Sequence, residues 1–520
     1  MRSWVMLSAL LGLSLGANAA DGELAANRPV LAEFGFEAPL PVGAPAAASL
    51  VDDNGNQVLR VHLDRTGSAM AAFELDPATL AGRTIQLQAR IKAEDVDMPP
   101  QSWSGIKVML HTNGPSGAQW SNPNNVFGTF DWTTYGIRIS VPEDIEVARL
   151  QIGLEATRGT AWFDDVRLTL VRGPRQRPAE PVGLDNIYRG YTDVDRLRGV
   201  MVSTAVTEQD LRDLKAKFNA NLIRWQLHWG SVNYGDDDGR DMEAYDAFIA
   251  DQTANLERLL PVCEELGLYV CLDLHTPPGG IQHGVGHYIF QEAHLQDKFI
   301  AVWEDLVNRF KDAPALWGYD LLNEAVEGLV SPDCLDWQEL AEVTARRVRE
   351  LDPDHAIIIE PASWGGIGGL ADFEPVDVPG VVYSLHIYDP HSYTHQGVSG
   401  STEVWSYPGV ISNTQWDKER QRQNLQRARD WQNDYGVQLY IGEFSVIRWA
   451  AGGEQYLTDL IELIEEFGWD WSYHAYREWT GWSLEHDSNP DNNQRLEGTD
   501  PRGAAILAAM ARNQQPAFAR

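Results

Sequence analysis

Between residues 190 and 515 the chain alternates short apolar runs with amphipathic segments, and this constrains its fold more than any other feature. The apolar runs fall at 197–202, 222–225, 269–274, 316–322, 356–359, 381–387, 438–441 and 470–473. Each has the length and composition of a strand buried on both faces, as strands of parallel sheets are. Helical patterns follow most of them, at 207–218, 242–266, 294–309, 336–351, 418–435 and 503–512. Leu211, Leu214 and Phe218 share one face of the first, and Thr207 with Asp210 forms a capping pattern at its start. Gly436 closes the 418–435 helix, and Tyr456, Leu457, Leu460, Ile461, Ile464 and Phe467 stripe another. Eight such units predict a (β/α)8 barrel over 186–515. No clear helix follows the fifth strand.

The preceding 28–172 has a different texture. Apolar residues alternate with polar ones at Ile85, Leu87, Ala89, Ile91, at Ile106, Val108, Leu110, and at Leu150, Ile152, Leu154, with turn-rich gaps between. Period two over many short runs predicts an antiparallel β-sandwich. Trp103, Trp120 and Trp132 are candidates for stacking on sugar rings, and Trp162 is expected in the core. A proline-rich stretch, 173–185, reads as a stiff linker.

Composition narrows the partners. With 75 acidic against 41 basic residues and a net charge of −34, the surface repels nucleic acid and anionic lipid. The first residues combine Arg2, an apolar segment and Ala17-Asn18-Ala19, so 1–19 reads as a cleavable signal and the product as secreted or periplasmic. No later run is long and apolar enough to span a membrane, and a monomer is expected. The three cysteines, Cys263, Cys271 and Cys334, cannot form a disulfide framework; they read as buried thiols, with a Cys263–Cys271 bridge left open.

In a barrel, residues at strand ends converge on one face however far apart they lie in sequence, and that face is where barrel enzymes keep their reacting groups. Strand two carries Arg224, strand three ends at His275 in L-D-L-H-T-P-P-G-G, and strand four ends at Asn323 and Glu324 in L-L-N-E. Strand five is followed by Glu360, strand six brings His386 and Tyr388 in S-L-H-I-Y-D-P, and strand seven ends at Glu443 in Y-I-G-E-F. Two glutamates at strand ends suit paired acid chemistry, in which one carboxyl keeps a proton and its mate does not.

In this order the residues resemble glycoside hydrolase family 5, the cellulase-like retaining β-glycosidases. The resemblance covers nearly all of 190–515, and the sandwich resembles jelly-roll carbohydrate-binding modules. It implies Glu324 as acid/base, Glu443 as nucleophile, Asn323 as partner of the sugar's 2-hydroxyl, and Arg224, His275, His386 and Tyr388 as positioning or sugar-contacting groups. Among aromatics, Trp364 and Trp479 are assigned to substrate binding, while Trp229, Trp405, Trp449 and Trp482 either line subsites or pack loops. One departure stands out. The family sets a tryptophan platform at the end of strand eight, where W-S-Y-H-A-Y-R-E-W places His474, with Trp479 further on.

The function expected is hydrolysis of a β-glucan or related β-linked glycan by double displacement, without cofactor. β-Mannan and glycolipid substrates, and a catalytically idle sugar-binding barrel, are the alternatives, and the L-H-T-P-P-G-G run resembles family members acting on β-1,3-glucans. His283, His287, His391 and His395 raise a metal site as a competing reading, but they lack the compact spacing of a zinc motif, so no metal is expected. Glu327 is expected to cap or salt-bridge, and Glu360 to serve a sugar hydroxyl or a histidine.

Overall fold

The computed structural model of the chain describes residues 28–519 apart from 175–176, 235–237, 283–284, 399 and 401. The signal segment expected at 1–19, part of the linker and His283 lie outside the described residues.

Eight parallel strands close into a barrel: Arg198–Ser203, Leu222–Gln226, Tyr269–Asp273, Leu316–Asp320, Ala356–Ile359, Val381–Ile387, Gln438–Phe444 and Asp470–Tyr476, the last pairing back onto the first. They are called barrel strands one to eight below. The fifth and sixth have the bounds read from sequence, whereas the seventh and eighth run three residues further toward the catalytic face. Thr207 and Asp210 form a reciprocal capping box on the helix Glu208–Phe218, and the helix Lys418–Tyr435 ends at Gly436 in the left-handed conformation. After strand five the chain makes only a 3-10 turn, Ile367–Ala371. Leu222, Cys271, Trp317, Ile358, Val382 and Tyr440 plug one end of the barrel, so polar side chains further along the same strands collect at the other. All three cysteines are free and buried.

The β-sandwich is built from antiparallel strands, of which Val147–Arg172, with 26 residues, is the longest. Its buried residues change parity twice, from Ala148, Leu150, Ile152 and Leu154 to Ala161 and Phe163, then back to Val166 and Leu168. The switches coincide with positive φ at Ala156 and Asp165. An irregularity of this kind turns a strand's inward face over, which lets one long strand serve both layers. Trp162 is not in the core as expected. The buried neighbours Ala161 and Phe163 put it on the outer face, half-buried beneath the Lys92 ammonium.

The sandwich is fastened to the barrel beside the loop after strand four. Arg138 and Arg172 both reach Asp336, the N-cap of the helix Trp337–Leu351, at 3.1 and 3.3 Å. Arg138 also pairs with Glu327. Burial would raise the Asp336 carboxyl, but Arg138 and then Arg172 outweigh it and hold it below its ordinary range. Gln86 exchanges two hydrogen bonds with the backbone of Val330. Glu327 therefore salt-bridges, as the sequence suggested, and its partner is a residue of the other domain. Among the described residues no helix is long and apolar enough to cross a membrane.

Candidate active site

Arg224, fully buried on barrel strand two, organises the catalytic face. Its Nε donates to Asp320 Oδ2 at 2.8 Å, Nη1 to Glu443 Oε1 at 2.8 Å, and Nη2 to Glu360 Oε1 at 3.0 Å and Asn323 Oδ1 at 3.1 Å. Asp273 Oδ1 lies 3.1 Å from Nη2. A guanidinium taken out of water loses several kcal/mol of hydration unless it is paired and hydrogen-bonded, and here strands three, four, five and seven all contribute acceptors. Gln226, Asp273 and Asp320 stand next to one another in the sheet register, which places the two aspartates around the same cation.

One arginine cannot support four buried anions. Burial raises Asp273 to about 8 despite Arg224, and Asp320 rises well above its ordinary range for the same reason. These two aspartates can thus hold protons, leaving the positive charge for the glutamates above. Sequence reasoning missed both. The signal was present: an aspartate inside an otherwise apolar strand, as in V-C-L-D-L and W-G-Y-D-L-L, needs a buried cation, and Arg224 is the one beside it.

His386, on strand six and almost fully buried, faces three carboxylates. Its Nδ1 is 2.9 Å from Glu324 Oε1 and 3.7 Å from Glu443 Oε2, and its Nε2 is 3.0 Å from Glu360 Oε1. Burial favours the neutral ring, but Glu360 and Glu443 overcome it and raise the imidazole well above its ordinary value. Glycines make room for this residue. A Cβ on Gly442 would lie 2.5 Å from Ser384 Oγ and 3.2 Å from His386 Nε2. At Gly365, where φ is +62°, a Cβ would meet Glu360 Oε2 at 2.5 Å.

Glu324 and Glu443 approach each other over this imidazole, with one ligand atom from each of Glu324, His386 and Glu443 lying within 4.8 Å of the others. Glu324 has a positive φ of 46°, and its backbone N–H donates to Glu360 Oε2 at 2.9 Å. The backbone is therefore held in a conformation that non-glycine residues avoid, a form of local strain that marks functional positions. Burial raises the Glu324 carboxyl above its ordinary value, with His386 opposing and Glu443 reinforcing. Glu443 is driven the opposite way. Burial would raise it too, but His386, His474 and Arg224 outweigh that and hold it well below the usual carboxylate range. Tyr388 donates its hydroxyl to Glu443 Oε2 at 2.8 Å.

Of the other residues singled out from sequence, His275 pairs with Asp273 at 2.9 Å through Nδ1, and burial lowers it to about 4. His474 contacts Glu443 Oε2 at 3.1 Å. Trp364 and Trp479 keep exposed surface. Trp364 is 57% exposed with its backbone N–H on the Ala325 carbonyl, and Trp479 is 40% exposed, edge-on to Trp482 at 5.3 Å. Trp229 stacks on Phe248 and Trp482 is buried, so these two pack loops. Glu360 is a partner of His386 and Arg224, one of the two roles expected for it. Glu324, His386 and Glu443 are also close enough to be read as metal ligands. Both nitrogens of His386 face carboxylate oxygens, however, and Arg224, His386 and His474 already supply positive charge there.

The cellulase profile, glycosyl hydrolase family 5, matches residues 188–488, more than half of the chain. Endoglucanase C of Acetivibrio thermocellus is 25% identical over 301 residues, covering 52% of this chain and 84% of that protein. A beta-xylosidase of Phanerodontia chrysosporium is 27% identical over 214 residues, covering 40% of this chain and 42% of that protein. The solved structure of Thermotoga maritima Cel5A with cellobiose covers 61% of this chain and 96% of its own, at 20% identity and a TM-score of 0.46. The chain belongs to glycosyl hydrolase family 5, the cellulase family, and is a glycoside hydrolase.

Proposed function

We propose that this glycosidase is an exported enzyme that cleaves β-glucan chains with retention of anomeric configuration, with Glu443 as nucleophile and Glu324 as acid/base. The observation that carries the reading is the Glu324–Glu443 pair, with oxygens within 4.8 Å of each other and carboxyls shifted in opposite directions. Retaining glycosidases hold their two carboxyl groups about 5–5.5 Å apart, and inverting ones about 6.5–9.5 Å apart to admit a water.

Glu443, ionised beside Arg224, attacks the anomeric carbon while Glu324 gives its proton to the leaving oxygen. Forming the glycosyl ester removes the Glu443 charge. That charge is one of the influences keeping Glu324 protonated, so its loss lowers the Glu324 pKa at the step where a base is needed. Glu324 then takes a proton from water, which attacks the ester and frees Glu443. Asn323, oriented by Arg224 through its side-chain oxygen, turns its amide NH2 to the sugar's 2-hydroxyl. Trp364 and Trp479 offer exposed indole faces for flanking sugar rings, and Trp103 and Trp120, 54% and 62% exposed, do the same on the sandwich.

Glu443→Ala tests the roles. The variant is expected to lose turnover of an aryl β-glucoside and to recover it with azide, giving an inverted glycosyl azide. Rescue of Glu324→Ala with that stereochemistry instead would exchange the two assignments. Products from a panel of β-glucans, mannans and xylans, resolved by chain length, identify the preferred backbone.

A further inference from the structure

Where the family sets an indole, this chain sets a charged side chain held between two carboxylates. His474 Nδ1 lies 3.1 Å from Glu443 Oε2 and 2.6 Å from the Tyr388 oxygen. Tyr388 spends its only proton on Glu443, so its oxygen can meet Nδ1 only as an acceptor, and Nδ1 must carry a hydrogen. The opposite nitrogen, Nε2, is shut off from solvent, and the Glu478 carboxylate faces it at 3.3 Å. No in-line hydrogen bond is made there, but a carboxylate at this range favours the charged ring, so that nitrogen carries a hydrogen as well.

Glu478 is fixed in turn by Gln226, whose side-chain amide on strand two donates to the same oxygen at 2.7 Å. The chain Gln226, Glu478, His474, Tyr388, Glu443 thus runs through groups from strands two, eight, six and seven, with no solvent step between them.

We propose that Glu478 is a positioning residue that keeps His474 doubly protonated and turned onto Glu443, so that the cleavage subsite rests on an imidazolium–carboxylate pair instead of an aromatic platform. The inference rests on Glu443 being the nucleophile only for its effect on rate; the state of the ring is independent of it.

The surroundings agree. Burial would lower His474, but Glu443 and Glu478 raise it to about 10. The other imidazoles that face it, His228 and His395, are lowered chiefly by burial to about 4 and about 3 and stay neutral. Trp482 packs against the ring at 6.1 Å and brings no charge. Arg224 bears on it only from the far side of Glu443.

Two consequences follow for the reaction. His474 sets a positive charge 3.1 Å from Oε2 of the nucleophile and holds the oxygen of Tyr388, which donates to Glu443, so Glu443 is a better leaving group when the glycosyl ester is hydrolysed. The pair also replaces a stacking surface with polar edges, the His474 side chain 14% and Glu478 23% exposed, which suits contact with ring hydroxyls.

The test is the protonation of His474, followed by nitrogen-15 imidazole resonances in the full chain from pH 5 to 10, in the parent protein and in Glu478→Gln and Glu478→Asp. In the parent both nitrogens stay protonated through pH 8. In Glu478→Gln the apparent pKa falls by about 1–3 units, the effect of losing an opposite charge at this range. Glu478→Asp recovers most of that shift. On an aryl β-glucoside, Glu478→Gln lowers kcat about tenfold or more with a smaller change in KM, as expected of a contact that acts after binding. A parent ring that is neutral at pH 7, or a titration unmoved by Glu478→Gln, overturns the proposal. Failure of azide rescue in Glu443→Ala with the titration shift intact would remove the nucleophile reading and leave the pair standing.

Discussion

Arg224→Lys separates geometry from charge at the centre of the site, because it keeps the cation and discards the fork. The guanidinium donates to four oxygens, one each on Asp320, Asn323, Glu360 and Glu443, and faces Asp273 as an ion pair. An ammonium has three donors, so at least one of the four loses its partner. A charged hydrogen bond contributes about 1.5–3 kcal/mol, which is the gross loss. Part of it is recovered, because Asp320, raised well above its ordinary range, can hold a proton in place of a lost contact. The folded state is therefore expected to lose about 2 kcal/mol, within the range of one charged hydrogen bond. The rate suffers more. Glu443 Oε1 has Arg224 Nη1 as its donor, and losing one preorganised donor at a reacting group costs about 10²–10³ in kcat. Steady-state kinetics on an aryl β-glucoside, beside thermal denaturation of the same preparation, measure both. If kcat/KM stays within about threefold of the parent, the net charge alone holds the nucleophile and the argument from the fork is wrong.

The remaining predictions concern pH and the sandwich. Under the proposed roles, activity needs Glu443 ionised, with its pKa depressed, and Glu324 protonated, with its pKa raised, so kcat/KM is expected to rise as pH climbs through the first and fall as it climbs through the second. His386 lowers both carboxyls, so His386→Gln is expected to move both limbs to higher pH, by about a unit or more; a shift toward acid would contradict the assignment of His386 as a cation. Trp103→Ala with Trp120→Ala should weaken retention on insoluble β-glucan and leave turnover of a soluble aryl glucoside unchanged, and equal retention would remove the sandwich from substrate capture. Surface substitutions suit this question better than deleting the domain, because deletion would strip Arg138 and Arg172 from Asp336, whose side chain is 0% exposed.

What the sequence disclosed depended on whether a signal was local or made across the fold. Parallel strands buried on both faces advertise themselves as apolar runs, so all eight are legible, and the residue types at their ends put Arg224, Asn323, Glu324, His386, Tyr388 and Glu443 on one face. The partners Asp273 and Asp320 were overlooked because a single acid in a strand looks like noise until the cation beside it is known. Glu478 was harder still, since it follows strand eight in the tract R-E-W-T-G-W, where a glutamate is indistinguishable from a solvated loop charge. Its meaning comes from Gln226, 252 residues earlier, and from a histidine on strand eight, at i,i+4 to it, whose other nitrogen reaches Glu443. Trp162 failed for the complementary reason. Alternation predicts which residues share a face only until a bulge intervenes, and the positive φ at Asp165 turns the strand over just beyond it. The same logic separates the two kinds of tryptophan in the loops: Trp229 and Trp482 have partners that only the folded chain brings to them, and Trp364 and Trp479 stay exposed. Departures from a family pattern are therefore most informative where the fold supplies the substitute with new partners, as it does for His474.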